Sequence, residues 1–414
     1  MPTKIVELEF SEEIAPIWGL ENYDSLWILV RCHKRPIGWV WYSISNSNIP
    51  MISAEQLRQA ILEQLGERLI LEMIMTQLSN PQVDNYSMEP ISIVVCTRDR
   101  TQQLEVCLKS LLALNYPTYE IVVVDNAPSN DDTAQLVSHL PVRYVREDRP
   151  GLDWARNRGI AEAQYSIVAF TDDDAQVDRF WLQAINRAFA EPEVMAVTGL
   201  VAPAELETSA QFLFELDYGG MGHGFSRREI KRERLTEPEL LWASSFGVGV
   251  NMAFRRHIFE KIGLFDVALD VGTPSRGAGD VEMFHRLVVQ GYQLVYVPAM
   301  LVWHTHRRYL PALHQQIYDN GRSFGCYLLT CFRNRSVSTI SILKFFLYNW
   351  LFQWIVRNLV FSPRKLPRYF ALVELAGMIS SPFAYRATQA CAKRVVTTHS
   401  QSKIEQRQPE GALL

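Results

Sequence analysis

The sequence predicts an α/β fold. A mostly parallel sheet forms the centre, with a small α+β module before it and a helical region after it. Three observations carry this. Four apolar, β-branched runs alternate with helical patterns between residues 91 and 174, the signature of parallel strands covered on both faces. The fourth run, Ile167-Val168-Ala169-Phe170, leads into Asp172-Asp173-Asp174, which puts carboxylates at the carboxyl edge of the sheet, where open α/β proteins bind ligands. Beyond Phe345 the chain is apolar, aromatic and helical in period, without strand alternation.

Residues 1–80 read as a separate unit. Leu26–Cys32 and Ile37–Ile44 flank Lys34-Arg35-Pro36, a hairpin signal. Ser53 caps a helical pattern through Leu57, Ile61, Leu65 and Leu69. No catalytic constellation falls in this unit, which reads as a packing or docking module. Residues 81–90 are a polar, proline-containing linker. In the block 91–310, Ile91–Cys96, Ile121–Val124, Val142–Val145 and Ile167–Phe170 are the strands. Helices fall around Leu104–Leu112, Asp132–Leu140 and Asp153–Ala163. Residues 311–396 form the helical region, and 397–414 read as a polar, disordered tail.

Composition narrows the function. The 414 residues are enough for two or three domains at roughly 150 residues each. A formal net charge of -4 argues against nucleic acid as the main partner. Six cysteines without a CxxC pair fit reduced thiols better than a disulfide scaffold or zinc site. The N-terminus has no apolar signal core, so a cytoplasmic location is expected. Charge is uneven. Trp303 to Arg394 holds 13 Lys/Arg against Asp319 and Glu374, a local +11 that leaves -15 for the rest. A basic segment on an acidic body points to an anionic membrane surface. Within it, Ile340–Phe361 carries Asn349, Gln353 and Arg357 on one helical face. The segment is too interrupted for a clean span of about 20 apolar residues. An in-plane helix at a membrane surface and a core-packing helix both fit.

The chemistry begins at the aspartate triplet. Three close carboxylates repel unless a cation sits among them, and oxygen ligands favour Mg²⁺ or Mn²⁺. Such an ion implies a diphosphate partner. The other strand ends carry polar groups as well: Thr97-Arg98-Asp99-Arg100, Asp125-Asn126, and Gly151 to Asn157 with Arg156. Any one of these could be a cap or a turn. Together on one edge they make a site.

These segments resemble family 2 glycosyltransferases, the GT-A fold. The resemblance runs over roughly 91–310 and rests on Ile91–Arg100, Val122–Asn126, Gly151–Asn157, Phe170–Ala175, Gly247–Arg255 and Gly279–Leu287. It implies that Thr97, Arg98, Asp99 and Arg100 bind the donor nucleotide, that Asp125 reads the base, and that Arg156 lines the nucleotide pocket. The DxD pattern maps onto Asp172 and Asp174. Asp174 then binds the metal, Asp172 lies against ribose or donor sugar, and Asp173 is the variable middle position. The segment with Gly249 and Asn251 lies beneath acceptor and donor sugar. Gly279-Asp280-Val281-Glu282-Met283-Phe284-His285-Arg286-Leu287 resembles the catalytic segment Glu-Asp-x-x-Leu-x-x-Arg-Leu, with Gly279 in place of the first acid. Asp280 matches the general base, kept ionised at a helix start, and Glu282 is the reserve. His304 matches a histidine that completes the metal shell.

The expectation is an inverting transfer of a sugar from a UDP- or GDP-type donor to a hydroxyl acceptor, with Mn²⁺ or Mg²⁺ as cofactor. A lipid-linked or envelope polysaccharide acceptor suits the basic, aromatic C-terminal region. The glycine-rich loop within Ser209–Glu239 is expected to act as a lid over the donor. A sugar nucleotidyltransferase would want a glycine-rich phosphate loop after the first strand, and Cys96–Thr101 has no glycine. A haloacid-dehalogenase-type phosphatase would want a nucleophilic aspartate there, and Asp99 is poorly placed. A degenerate carbohydrate-binding scaffold draws support from Gly279 alone.

Overall fold

The computed structural model describes residues 2–44, 51–78, 87–361 and 367–405. The N-terminal part holds β1 (Thr3–Glu9), β2 (Ile17–Trp18), β3 (Ser25–Cys32), β4 (Arg35–Ser43), β5 (Met51–Ile52) and α1 (Ala54–Leu78). β3 is central, parallel to β1 and antiparallel to β4. His33 and Lys34 both have positive φ, as a tight type I′ turn between twisted strands requires. Every residue of β3 is buried because both faces are covered. Leu26, Ile28 and Val30 pack on Leu57, Ile61 and Leu65 of α1. On the other face, Leu29 joins Leu200, Ala202 and Leu301 of the following domain, beside Trp39 and Trp303. Arg31 is ion-paired to Asp178 across the same seam at 2.5 Å. The expected linker falls mostly on 81–86, outside the described residues.

The second part alternates strand and helix as the β-branched runs demand. It comprises β6 (Ile91–Thr97), α2 (Thr101–Leu112), β7 (Tyr119–Asn126), α3 (Asp132–Val137), β8 (Arg143–Glu147), α4 (Leu152–Glu162), β9 (Ile167–Asp172) and β10 (Ala175–Val177). Next come α5 (Trp181–Phe189), β11 (Val194–Pro203), α6 (Ser209–Phe212), β12 (Arg228–Ile230), α7 (Glu237–Leu241), β13 (Met252–Arg255), α8 (Ile258–Ile262), α9 (Gly279–Val289) and β14 (Gln293–His304). The main sheet runs β10-β14-β11-β13-β9-β6-β7-β8, with β12 added to β14. β9, β6, β7 and β8 are mutually parallel, so Thr97, Asn126, Glu147 and Asp172 end on one edge. One face is covered by Leu104, Leu108 and Leu111 of α2 with Trp181 and Ile185 of α5. The other meets Ala155 and Ile160 of α4 and Met283, Phe284 and Leu287 of α9.

The C-terminal region is helical: α10 (Leu310–Asn334), α11 (Thr339–Lys344), a π-helical stretch Phe345–Val356, α12 (Arg357–Val360) and α13 (Tyr369–Glu405). Phe345, Trp350 and Ile355 join the core of the preceding domain. Ile340, Leu343, Leu347, Tyr348 and Phe352 on the same segment are exposed. Thr339–Val360 is long and apolar enough to cross a membrane by length and composition, and only 17% of its apolar window is buried. One correction concerns the tail. Helix α13 continues to Glu405, past the expected start of disorder at 397, and 406–414 lie outside the described residues.

Candidate active site

The parallel sheet edge assembles the donor side. Thr97 Oγ1, at the end of β6, donates to Asp173 Oδ2 at 2.7 Å. Arg100, one turn on, donates to Asp173 Oδ1 and Asp174 Oδ2, both at 2.6 Å. Asp174 is drawn to its other neighbour by sheet register. β10 pairs antiparallel with β14 so that Ala175 lies opposite His304, and His304 Nε2 sits 3.4 Å from Asp174 Oδ1. Burial alone would raise the Asp174 carboxyl. The hydrogen bond and charge of His304, with Arg100, outweigh it and hold Asp174 well below the usual range. Burial dominates for its neighbours: Asp172 is pushed up to about 6 and Asp173 to about 7, against the opposing pull of Arg156 and Arg100 respectively.

Asp125 ends β7 fully buried. Its Oδ2 accepts from the Tyr144 hydroxyl at 3.0 Å, while Oδ1 has no hydrogen-bond partner among the described residues. A buried acceptor left open is costly, and a base or ribose donor would satisfy it. Arg98 is half exposed at the rim.

Other expected donor contacts lie elsewhere. Asp99 adopts a positive φ, and its Oδ1 accepts from Ser129 N at 2.8 Å and Ser129 Oγ at 2.9 Å. It ties one loop to the next. Arg156 does not line an open nucleotide pocket. It is buried beneath the site, held by Asp153 at 3.0 Å and in contact with Asp270. Its α4 register points it inward, where it balances acids on three segments. The expected donor lid is anchored on either side of Gly219–Gly224, which itself lies in no helix or strand. β12 is zipped antiparallel onto β14, and Thr208 and Thr236 cap α6 and α7 with full capping boxes.

Asp280 lies in the first turn of α9. Its Oδ2 accepts from Gly249 N at 2.6 Å and its Oδ1 from Val281 N at 2.8 Å. Gly249 is required for this approach, since a Cβ there would fall 2.9 Å from Asp280 Oδ2. The helix start was expected to keep Asp280 readily ionised. Instead, burial and then the Asp270 charge raise its carboxyl, with Arg156 opposing. Glu282, the reserve base, faces away. It is buried and bonded to Arg286 at 2.8 Å, as (i, i+4) spacing on one helix dictates. Asn251 likewise faces the core. It is fully buried, accepting from Trp181 Nε1 at 2.9 Å and donating to the Leu200 and Met300 carbonyls at 2.9 and 2.7 Å.

Asp280 opens onto a cavity of about 500 Å³. One wall comes from Gly247, Val248 and Asp270, the other from Trp350, Trp354 and Glu374 of the C-terminal region. The sequence reading missed that second wall, and Asp270 and Asp153 with it. Glu374 had a visible signal: it is one of two acids in a stretch of net +11. Among the described residues no three His, Cys, Asp or Glu side chains converge as a metal cage. The candidate is the Asp174–His304 pair, a hard carboxylate and an imidazole. Both suit Mn²⁺, and the carboxylate suits Mg²⁺.

A strand-ended carboxylate cluster and a helix-borne acid thus lie across one α/β sheet edge. Residues 92–263 match the glycosyl transferase family 2 model. The chain is 24% identical over 234 residues to glycosyltransferase AglE of Haloferax volcanii, covering 55% of this chain and 70% of the relative. It is 25% identical to the glucosyl-dolichyl phosphate glucuronosyltransferase of the same organism, over 42% of this chain and 56% of the relative. Human polypeptide N-acetylgalactosaminyltransferase 13 matches at 24% identity over 48% of this chain and 37% of its own length. The chain thus spans less than two thirds of the latter two. Among solved structures, a Pyrobaculum calidifontis mannosyltransferase in complex with GDP-Man and Mn²⁺ aligns with a TM-score of 0.44. Its identity is 17%, over 82% of this chain and 89% of that one.

Proposed function

We propose that the protein is an inverting, metal-dependent glycosyltransferase that moves a sugar from a nucleoside-diphosphate donor to an acceptor hydroxyl. The observation that carries this is the pairing of Asp174–His304 on one side of the edge with Asp280 on the other. Asp174 and His304 would hold Mn²⁺ or Mg²⁺, which when bound neutralises charge on a diphosphate leaving group. Asp125 accepts from base or ribose, and Asp172 faces the ribose or donor sugar. Asp280 takes the proton from the acceptor hydroxyl as that oxygen attacks C1. The C1–O bond to the diphosphate breaks on the opposite face, so the anomeric centre inverts. A carboxyl raised by burial is a stronger base, which suits the step.

Gly279, the one feature favouring a degenerate scaffold, has a steric explanation. The space a side chain would need is filled by Asp153 and Asp270, so acidity is kept nearby on other segments.

The acceptor is proposed to be lipid-linked, with the protein at an anionic membrane surface. One segment has an inner face, Trp350 and Trp354, that lines the acceptor cavity, and an outer face, Leu347, Tyr348 and Phe352, that is exposed. Docking of the outer face would bring the cavity to the lipid headgroups. The dolichyl-phosphate substrate in one relative's name is consistent with this.

The test is a screen of UDP- and GDP-sugars with Mn²⁺, Mg²⁺ or EDTA, read by thermal shift and nucleotide release, on wild type and Asp174→Ala. Metal-dependent stabilisation by one nucleotide, lost in the variant, supports the reading. A folded protein that answers no donor sinks it. Flotation with phosphatidylglycerol vesicles tests the surface. Protein left at the bottom of the gradient removes the membrane element.

A further inference from the structure

The cavity beside Asp280 has a polar anchor that comes from outside the region matched by the family model. Glu374 belongs to α13, outside the 92–263 match. Its carboxylate lines the cavity while the residue is 93% buried, since its exposure is 7%. Trp354 Nε1 donates to both carboxylate oxygens at 3.0 Å. The Tyr218 hydroxyl bonds it as well and accepts from Asn320 Nδ2 at 3.3 Å. The glutamate is therefore held in one rotamer by an indole and a phenol, with its remaining lone pairs available to the cavity.

Around it stand flat aromatic faces. Trp242 and Trp354 meet edge to face at 6.1 Å, and Tyr218 meets Trp354 likewise at 6.0 Å. Trp350 lines the same space. Aromatic faces beside a fixed acceptor of hydroxyl hydrogen bonds suit a pyranose, which has an apolar C–H face and a polar rim. A cavity of about 500 Å³ is in the range of small-molecule sites. The charge pattern selects further. Asp280, Asp270 and Glu374 all line it. Arg156 offsets Asp270 from below, Arg276 lies at the exposed mouth, and burial lowers His223 to about 4, so it stays neutral.

We propose that this cavity is the acceptor subsite, that it takes the terminal neutral pyranose of the acceptor, and that Glu374 is its positioning and specificity residue. The proposal deepens the transferase reading and rests on Asp280 being the base. Glu374 grips ring hydroxyls, the tryptophans stack on the sugar face, and the hydroxyl to be glycosylated is turned toward Asp280. A uronic acid is rejected by the three carboxylates.

The test uses the full chain and donor-independent binding. Intrinsic tryptophan fluorescence is followed at pH 8, where Glu374 is ionised, during titration with octyl glucoside, octyl mannoside and octyl glucuronide, below their micellar concentrations. Wild type is compared with Glu374→Gln and Trp354→Phe, each checked by thermal melting. The expected result is a saturable change with at least one neutral glycoside, weakened about tenfold or more in Glu374→Gln, as for loss of a charged hydrogen bond. The glucuronide should give none. Equal binding by wild type and a folded Glu374→Gln overturns the proposal, as does tighter binding of the glucuronide. If Glu374→Gln does not fold, Trp354→Phe decides: it removes the indole N–H holding the carboxylate and must weaken binding. The transferase reading is judged separately by nucleotide-dependent stabilisation. Donor response without glycoside binding discards the subsite alone. Glycoside binding without donor response discards the transferase reading and keeps a sugar-binding site.

Discussion

Gly279 and Asp153 occupy mutually exclusive space. A Cβ at 279 would overlap Asp153 Oδ2 and come within 2.7 Å of Asp270 Oδ2. Neither aspartate can easily retreat, because both are bonded to the buried Arg156. Gly279→Ala should therefore destabilise the fold by about 1–3 kcal/mol, as overpacking does, and restoring the acid common at that place with Gly279→Glu should cost more. Urea unfolding of the two variants checks this. A neutral Gly279→Glu would mean that the carboxylate cluster is loose.

Asp280 is raised chiefly by burial and next by Asp270. The base proposed here must be deprotonated to act, so the acid limb of the pH profile for kcat/KM should lie above the ordinary carboxylate range. Asp270→Asn removes the second cause and leaves Arg156 opposed by Asp153 but no longer by Asp270, so the limb should move to lower pH. Asp280→Asn should lose activity by about 10²–10⁴ while nucleotide binding persists. A profile unmoved by Asp270→Asn would show that another group sets the limb.

The fold was legible because it is written in local pattern. β-branched runs at 91–96, 121–124 and 167–170 become parallel strands, and their polar ends meet on one edge as the topology requires. The Asp174–His304 pairing was legible only through family resemblance, since its cause is the register of β10 on β14, 130 residues apart in sequence. What failed was side-chain direction. Arg156, Asn251 and Glu282 stand at the expected places, yet each is turned inward, Arg156 and Glu282 by helix register and Asn251 by the bend before β13, and consumed by buried partners. Asp99 faces outward but is spent on Ser129. The aromatic wall was invisible because it comes from helices that meet the catalytic sheet only after the chain has folded back on itself.

Arg100 spans Asp173 and Asp174 where a cation would otherwise be wanted. Arg100→Ala removes the main counter-charge of Asp173 and, after His304, the second partner of Asp174. Its melting temperature in EDTA should fall, and the stabilisation given by Mn²⁺ should grow beyond that of wild type. Differential scanning fluorimetry with a Mn²⁺ titration reads both. If the variant gains no more from Mn²⁺ than wild type, Arg100 and the ion do not share the site.

Glu374 provides a pH-dependent stability that can be signed. Burial, partly opposed by the Trp354 and Tyr218 hydrogen bonds, raises its carboxyl from 4.5 to about 7. Below pH 4.5 the group is protonated in folded and unfolded chains alike and costs nothing. As pH rises toward 7 the unfolded chain releases the proton while the folded chain keeps it, so stability falls. Above 7 the full penalty is present, about 3 kcal/mol by linkage. Asp172 and Asp173, raised in the same direction, add to the wild-type slope but are common to any Glu374 variant. Glu374→Gln does not titrate. Its stability relative to wild type should therefore increase by up to about 3 kcal/mol between pH 4.5 and pH 8, measured by guanidinium unfolding at each pH. Parallel curves would mean that the carboxylate is already solvated in the folded protein, by water entering the cavity from its mouth.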